Sequence, residues 1–291
     1  MDDVERKLEA EGFERIGEPA IAAAGAGAVS TGALAPASQV RFQYRVLKAL
    51  VLRDLTSRYA DHRLGFLLSI IIPLATISVM FVAFGLRGKA VPANFSLGTF
   101  IVTGYPLWMA FQGTYQQVMS SAARSDPLLM FPQITQLDLV LSSVIVTFAI
   151  NTVVFVILCL GVMVVFQSPP PADPAGVLFC YWGCGWIGAA LGMILCALQR
   201  ASTVFATFLN SLMRFGMWVS GVVFTIDRLP SWLWPYLRWN PILHLVEGAR
   251  SLWQPGYHPP IFDPTFVIAC AFVLTTIGFV LERASRRLVG P

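Results

Sequence analysis

Between Leu64 and Glu282 the chain carries 15 charged residues in 219 positions, whereas residues 1–63 alone hold 18. A water-soluble domain has about a quarter of its residues charged, because its surface must meet water. The charge-poor stretch instead divides into apolar runs near the ~20 residues that cross a bilayer. The fold class that follows is an all-α membrane protein. With 56% hydrophobic residues and a mean hydropathy of +0.67, the chain is not an ordinary cytosolic enzyme, a disordered protein or a disulfide-rich secreted scaffold.

Six transmembrane helices are expected, at 65–86, 97–121, 137–166, 176–198, 202–225 and 265–282. Pro73 and Pro106 should kink the first two. Six spans put both termini on one side. Eleven Lys and Arg flank the spans there, against five (Arg87, Lys89, Arg228, Arg238 and Arg250) on the other. The positive-inside rule makes the terminal side cytoplasmic.

Residues 1–38 read as a flexible acidic and Ala/Gly-rich cytoplasmic tail. Ala33-Leu34-Ala35 imitates a signal-peptide cleavage site, but the stretch before it is acidic rather than basic. Residues 39–63 read as an amphipathic interface helix. Phe42, Val46, Leu47, Leu50, Val51, Leu55 and Tyr59 fall on one side, with Arg41, Arg45 and Lys48 on another. Residues 64–291 form the six-span domain. Within it, 226–264 is the unusual segment. Asn240-Pro241 is an N-cap and first-turn pair, and the helix it opens, Ile242 to Trp253, is too short to span. Short re-entrant helices between spans five and six are expected. Trp232, Trp234, Tyr236, Trp239 and Trp253 suit the membrane–water boundary.

Motifs for chemistry are sparse. Gly183-Cys184-Gly185-Trp186-Ile187-Gly188 matches GxGxxG but lies inside a span, where a dinucleotide site has no strand before it. Small residues at Cys184, Gly188, Gly192 and Cys196 point instead to close helix packing. All five cysteines lie in apolar runs, which argues against disulfides and metal. No phosphate-binding loop surrounds Lys7, Lys48 or Lys89, so this chain has no ATP site of that kind. His244 and Glu247 are three apart, and a local hydrogen bond is favoured over a shared metal. No catalytic residue and no metal ligand is assigned. The net charge of +4 is spread around the spans, unlike the basic face of a nucleic-acid binder.

Arg214 lies inside span five, where a charge costs roughly 2.5–3.5 kcal/mol on insertion scales. It either binds an anionic group of a substrate or sits in an ion pair or water contact within the bundle. Tyr105, Trp108, Phe111, Tyr115, Phe215 and Trp218 are candidates to line a substrate path with it. Lipid contact or ordinary packing explains the same aromatics. In the segment 122–135, Leu128, Leu129, Met130 and Phe131 form an apolar patch bounded by Arg124, Asp126 and Gln133. Such a patch marks a docking site.

Arg53-Asp54-Leu55, Arg58-Tyr59, Leu64-Gly65 and Pro73, the Ser125–Gln133 segment, Asn240-Pro241-Ile242-Leu243-His244, Glu247, Arg250 and Pro255-Gly256-Tyr257 together resemble the membrane subunits of bacterial ATP-binding-cassette polysaccharide exporters. The similarity covers roughly residues 41–290 and is strongest to the capsule-export branch. Leu68 departs from the Trp that relatives often carry. The resemblance implies a homodimer in the bacterial inner membrane with a channel between the copies. Two ATP-binding-cassette subunits, which bind ATP and Mg, would dock on Arg58, Tyr59, Arg124, Asp126, Leu128, Leu129 and Phe131. The cargo would be a lipid-linked polysaccharide, with a periplasmic co-polymerase as a further partner. Trp232, Trp234, Asn240, His244 and Glu247 would shape the exit. O-antigen or teichoic acid export is the alternative within the class. Outside it stand a passive channel and a membrane-embedded glycosyl- or acyltransferase using Asp138, Asp227, Glu247 or Asp263.

Overall fold

The structure, a computed structural model, describes residues 36–59, 65–86, 95–123 and 136–288. Among these residues there are nine α-helices: α1 Pro36–Tyr59, α2 Gly65–Leu86, α3 Leu97–Ala123, α4 Gln136–Val165, α5 Pro174–Ala201, α6 Thr203–Val219, α7 Trp234–Leu237, α8 Pro241–Trp253 and α9 Pro264–Leu288. The chain divides into two units at Arg45 and Val46. Of the first, the described part is the opening of α1. The second holds the helical bundle.

Among the described residues, three stretches are long and apolar enough to cross a membrane by composition: Leu137–Val165, Pro174–Ala201 and Pro264–Ala284. A helix also stands at each of the other three expected spans. Pro73 and Pro106 both lie inside continuous helices. The expected span 202–225 is corrected: α6 ends at Val219. Ser220 leaves helical geometry, and Gly221 follows with φ +74°, in the left-handed region that favours glycine.

The bundle is built around α5, which packs against α3, α9, α8 and α6. Asp173 caps its first turn by accepting from the Gly176 N–H, with Pro174 in the first helical position. Ser202 then ends α5 and starts α6: its N–H donates to the Leu198 carbonyl while its hydroxyl accepts from Phe205. The small-residue stripe of α5 sits on α3. A Cβ at Gly188 would strike the Phe111 carbonyl, and one at Gly192 would come within 2.8 Å of the Tyr115 carbonyl. Cys184 and Cys196 of the same stripe are buried. The glycines permit backbone-close crossing, as the spacing foretold.

One end of the bundle is stitched across three connections. The Ser96 and Ser168 hydroxyls meet at 2.6 Å. The Asp173 N–H donates to the Leu252 carbonyl, and Trp253 Nε1 donates to the Pro169 carbonyl at 3.0 Å. Phe95 packs edge-on against Tyr257. The α2–α3, α4–α5 and α8–α9 junctions therefore share one end. Arg200 in the last turn of α5 and Glu282 in the C-terminal half of α9 meet at 3.9 Å toward the other end. Trp253 corrects an expectation. It is 1% exposed, so its indole is part of this stitching rather than a boundary anchor.

The α3–α5 crossing makes a direct prediction. Gly188→Leu should abolish most folded protein, because the obstacle is backbone and cannot step aside. Gly161→Leu, with open space at its Cβ position, should leave the thermal midpoint within a degree or two. Size-exclusion yield and thermal unfolding in detergent read both.

Candidate functional site

The Asn240-Pro241 pair starts α8 as its spacing foretold. The Asn240 carboxamide oxygen accepts from Ile242 and Leu243 N–H. Its Nδ2 turns the other way and donates to the Val219 carbonyl at 3.3 Å and the Ser220 hydroxyl at 3.1 Å. One side chain thus caps the start of α8 and the end of α6.

Two turns further along α8 lies a fully buried charged cluster. Glu247 and Arg250 are both 0% exposed and meet at 3.0 Å. Arg250 Nη1 also donates to the Phe224 carbonyl at 2.8 Å, and its guanidinium lies over the Phe100 ring, 4.3 Å from the centroid. Glu247 Oε1 accepts from the Ile226 N–H at 3.2 Å. Its Oε2 accepts from the Tyr257 hydroxyl. Burial and the Glu247 carboxylate push the Tyr257 phenol up, so it keeps its proton as the donor. Gly104 of α3 makes room: a Cβ there would lie 3.3 Å from Arg250 Nη2 and 3.1 Å from the Val222 carbonyl. The cluster holds α8 to α3, with Arg250 donating to and Glu247 accepting from the backbone that follows α6.

His244 and Glu247 do not bond each other, contrary to expectation, because each faces a different partner. His244 Nε2 donates to the Arg238 carbonyl at 2.8 Å, and its Nδ1 accepts from the Asp263 N–H at 3.1 Å. This pattern requires a neutral ring. Burial, foremost, lowers the His244 pKa from its ordinary value, in agreement with that tautomer.

The path candidates separate into two groups. Tyr105, Trp108, Phe111 and Tyr115 are buried within the chain. The Trp108 and Phe111 rings pack tilted at 5.1 Å, those of Phe111 and Tyr115 at 5.4 Å. Arg214, Phe215 and Trp218 are exposed on α6. The groups meet at Gly216, whose Cβ would lie 2.8 Å from the tip of Trp108. Trp232 is exposed, and Trp234 is half-buried with its Nε1 donating to the Leu229 carbonyl. Arg58 and Tyr59 close α1, but their side chains lie outside the described residues, as do Arg124, Asp126, Leu128, Leu129 and Phe131.

Sequence reasoning counted Arg250 among external loop charges and left Arg250 and Tyr257 out of the assigned site. Burial removes Arg250 from that count. The signal available was the i, i+3 spacing of Glu247 and Arg250 on a short helix.

Arg250→Met should destabilise the chain by about 3–5 kcal/mol, since it strands a buried carboxylate. That corresponds to a fall of roughly 10 °C in the thermal midpoint for a domain of this size. Adding Glu247→Leu to it should recover part of the loss. Equal or greater loss in the double variant would show that the pair is not coupled.

Comparison with known proteins gives this architecture its class. The family model described as "ABC-2 type transporter" matches residues 45–253. Among curated relatives, the capsule polysaccharide export inner-membrane protein CtrC of Neisseria meningitidis serogroup A is 24% identical over 245 residues, covering 84% of this chain and 92% of the relative. BexB of Haemophilus influenzae, with the same description, is 23% identical over 249 residues, with 86% and 94% covered. The polysialic acid transport protein KpsM of Escherichia coli is 21% identical over 237 residues, with 81% and 92% covered. The family match takes in α2 to α8 whole, including the Asn240 cap and the Glu247–Arg250 pair, so the chain belongs to the ABC-2 type transporter family, as a membrane transport subunit that works with ATP-binding partners.

Proposed function

We propose that the chain is the permease subunit of an ATP-driven exporter that moves a lipid-linked capsular polysaccharide across a bacterial inner membrane. Three relatives over more than four-fifths of the chain are named for capsule or polysialic acid transport. In this reading α2, α3, α4, α5, α6 and α9 are six spans with both termini cytoplasmic. The end that gathers the α2–α3, α4–α5 and α8–α9 junctions is periplasmic. Alpha-helix α6, with 17 residues, rises about 26 Å, slightly short of the ~30 Å hydrocarbon core. The backbone from Ser220 to Thr225 then completes the crossing, and α7 and α8 are the re-entrant elements. Non-helical backbone at that depth is tolerated when protein groups satisfy it, which is what Asn240, Glu247 and Arg250 do.

The observation that carries the proposal is the outward face of α6. Phe208, Leu212, Phe215 and Trp218 are 50–66% exposed there, and Arg214 is exposed among them. Lipid is a costly neighbour for that cation. A second copy of the chain, with a water-filled path between the two, gives it partners. A homodimer follows, with Arg214, Phe215 and Trp218 toward the path and Trp108 behind them. Polar, charged glycan cannot enter hydrocarbon unaided and meets a cation and aromatic faces there. Two ATP-binding subunits dock on the 122–135 segment and the end of α1, and a periplasmic co-polymerase receives the chain.

The test is where glycan sits in a strain lacking this protein. The surface polysaccharide should disappear while its lipid-linked form accumulates inside. Arg214→Gln at wild-type protein level should reproduce the defect at least tenfold in export rate. Loss of glycan in both places would move the assignment to synthesis.

A further inference from the structure

A cavity of about 660 Å³ opens between Ser231, α7, the first turn of α8 and the start of α9. Its aromatic walls are Trp234, Trp239 and Phe266, and its polar groups include Arg238, His244 and Asp263. This is the size of a small-ligand site, in which a few polar groups set among apolar walls fix orientation.

Most of the polar groups are already engaged. His244 spends both ring nitrogens on backbone. Asp263 Oδ1 accepts from Thr265 and Phe266 N–H, so its charge sits against the positive N-terminal end of α9. Arg238 keeps its guanidinium without a partner among the described residues. Beside it Trp239 is 78% exposed, held edge-on by Phe266 at 6.2 Å. A large indole kept on the surface next to a free cation offers two kinds of contact at once. An aromatic face packs against the C–H face of a sugar ring. A guanidinium takes a carboxylate through two parallel hydrogen bonds. A bare inorganic anion would use the second but not the first, and an acyl chain the reverse.

We infer that this cavity binds an acidic sugar residue of a glycan, through Arg238 and the faces of Trp239 and Trp234. The inference deepens the exporter reading and rests on it for the source of the ligand. The cavity then holds the glycan at the mouth, apart from the Arg214 face of α6.

The full chain in lipid nanodiscs, titrated with tetragalacturonate by calorimetry, tests the site. Maltotetraose serves as the neutral counterpart. Tetragalacturonate should bind, with roughly tenfold weaker affinity in Arg238→Gln, the loss of one charge-assisted pair. Trp239→Ala should weaken it similarly, while Trp182→Ala, an exposed indole on α5 away from the cavity, should bind as wild type. No binding, equal binding of maltotetraose, or binding indifferent to both Arg238→Gln and Trp239→Ala would overturn the inference. Those results would leave the exporter reading standing if glycan still accumulates inside the deletion strain. Failure of that strain to lose surface glycan would instead overturn the exporter reading, whatever the nanodisc titration gives.

Discussion

The chain breaks helical geometry after Val219, and the backbone groups that lose their helical partners there must find others. They find them on α8. Asn240 takes the Val219 carbonyl, Arg250 the Phe224 carbonyl and Glu247 the Ile226 N–H. A buried ion pair between two acceptor- and donor-rich side chains is weak evidence for stability by itself. Its worth here lies in the backbone it satisfies. Without those bonds the segment after α6 would carry unpaired polar groups. Gly104, Gly221 and the Phe100 ring are the accommodations that α3 and the turn make for that arrangement.

The same constraint positions what the chain can do. Because α6 stops and the chain folds back as α7 and α8, the α6 surface is left uncovered by its own chain. That surface mixes large apolar side chains with one arginine, the feature on which the proposed second subunit and wet path rest. Meanwhile α8, pinned at its start by Asn240 and at its end through Trp253 to Pro169, forms a rigid shelf. The aromatic cavity around Arg238 opens against the first turn of that shelf. The fixed end lies where the three junctions are stitched, and toward the other end Arg200 of α5 meets Glu282 of α9.

Local signals were the legible ones. Composition and run length gave the helical membrane class and the placement of the helices. The Asn240-Pro241 cap and the stripe at Cys184, Gly188, Gly192 and Cys196 were readable because the chemistry sits within a few residues or repeats each turn. The buried cluster was not readable, since its backbone partners lie 21 and 26 residues upstream of Glu247 and Arg250. Trp253 looked like a boundary anchor because its partner carbonyl is 84 residues away. The early end of α6 depends on a positive φ at Gly221 and on a side chain 21 residues downstream. Apolar character alone runs on past both.

The proposed transport of a lipid-linked glycan across a bilayer along α6, driven by ATP-binding partners, can be followed directly. Its most direct test is reconstitution of the purified complex into liposomes preloaded with the lipid-linked glycan in one leaflet. Access of an added glycosidase to the opposite leaflet is the readout. Glycosidase-sensitive glycan should appear only with ATP and Mg, and should fall to background when Arg214 is replaced by Glu. Equal appearance without ATP would contradict it, and so would full activity in the Arg214→Glu complex.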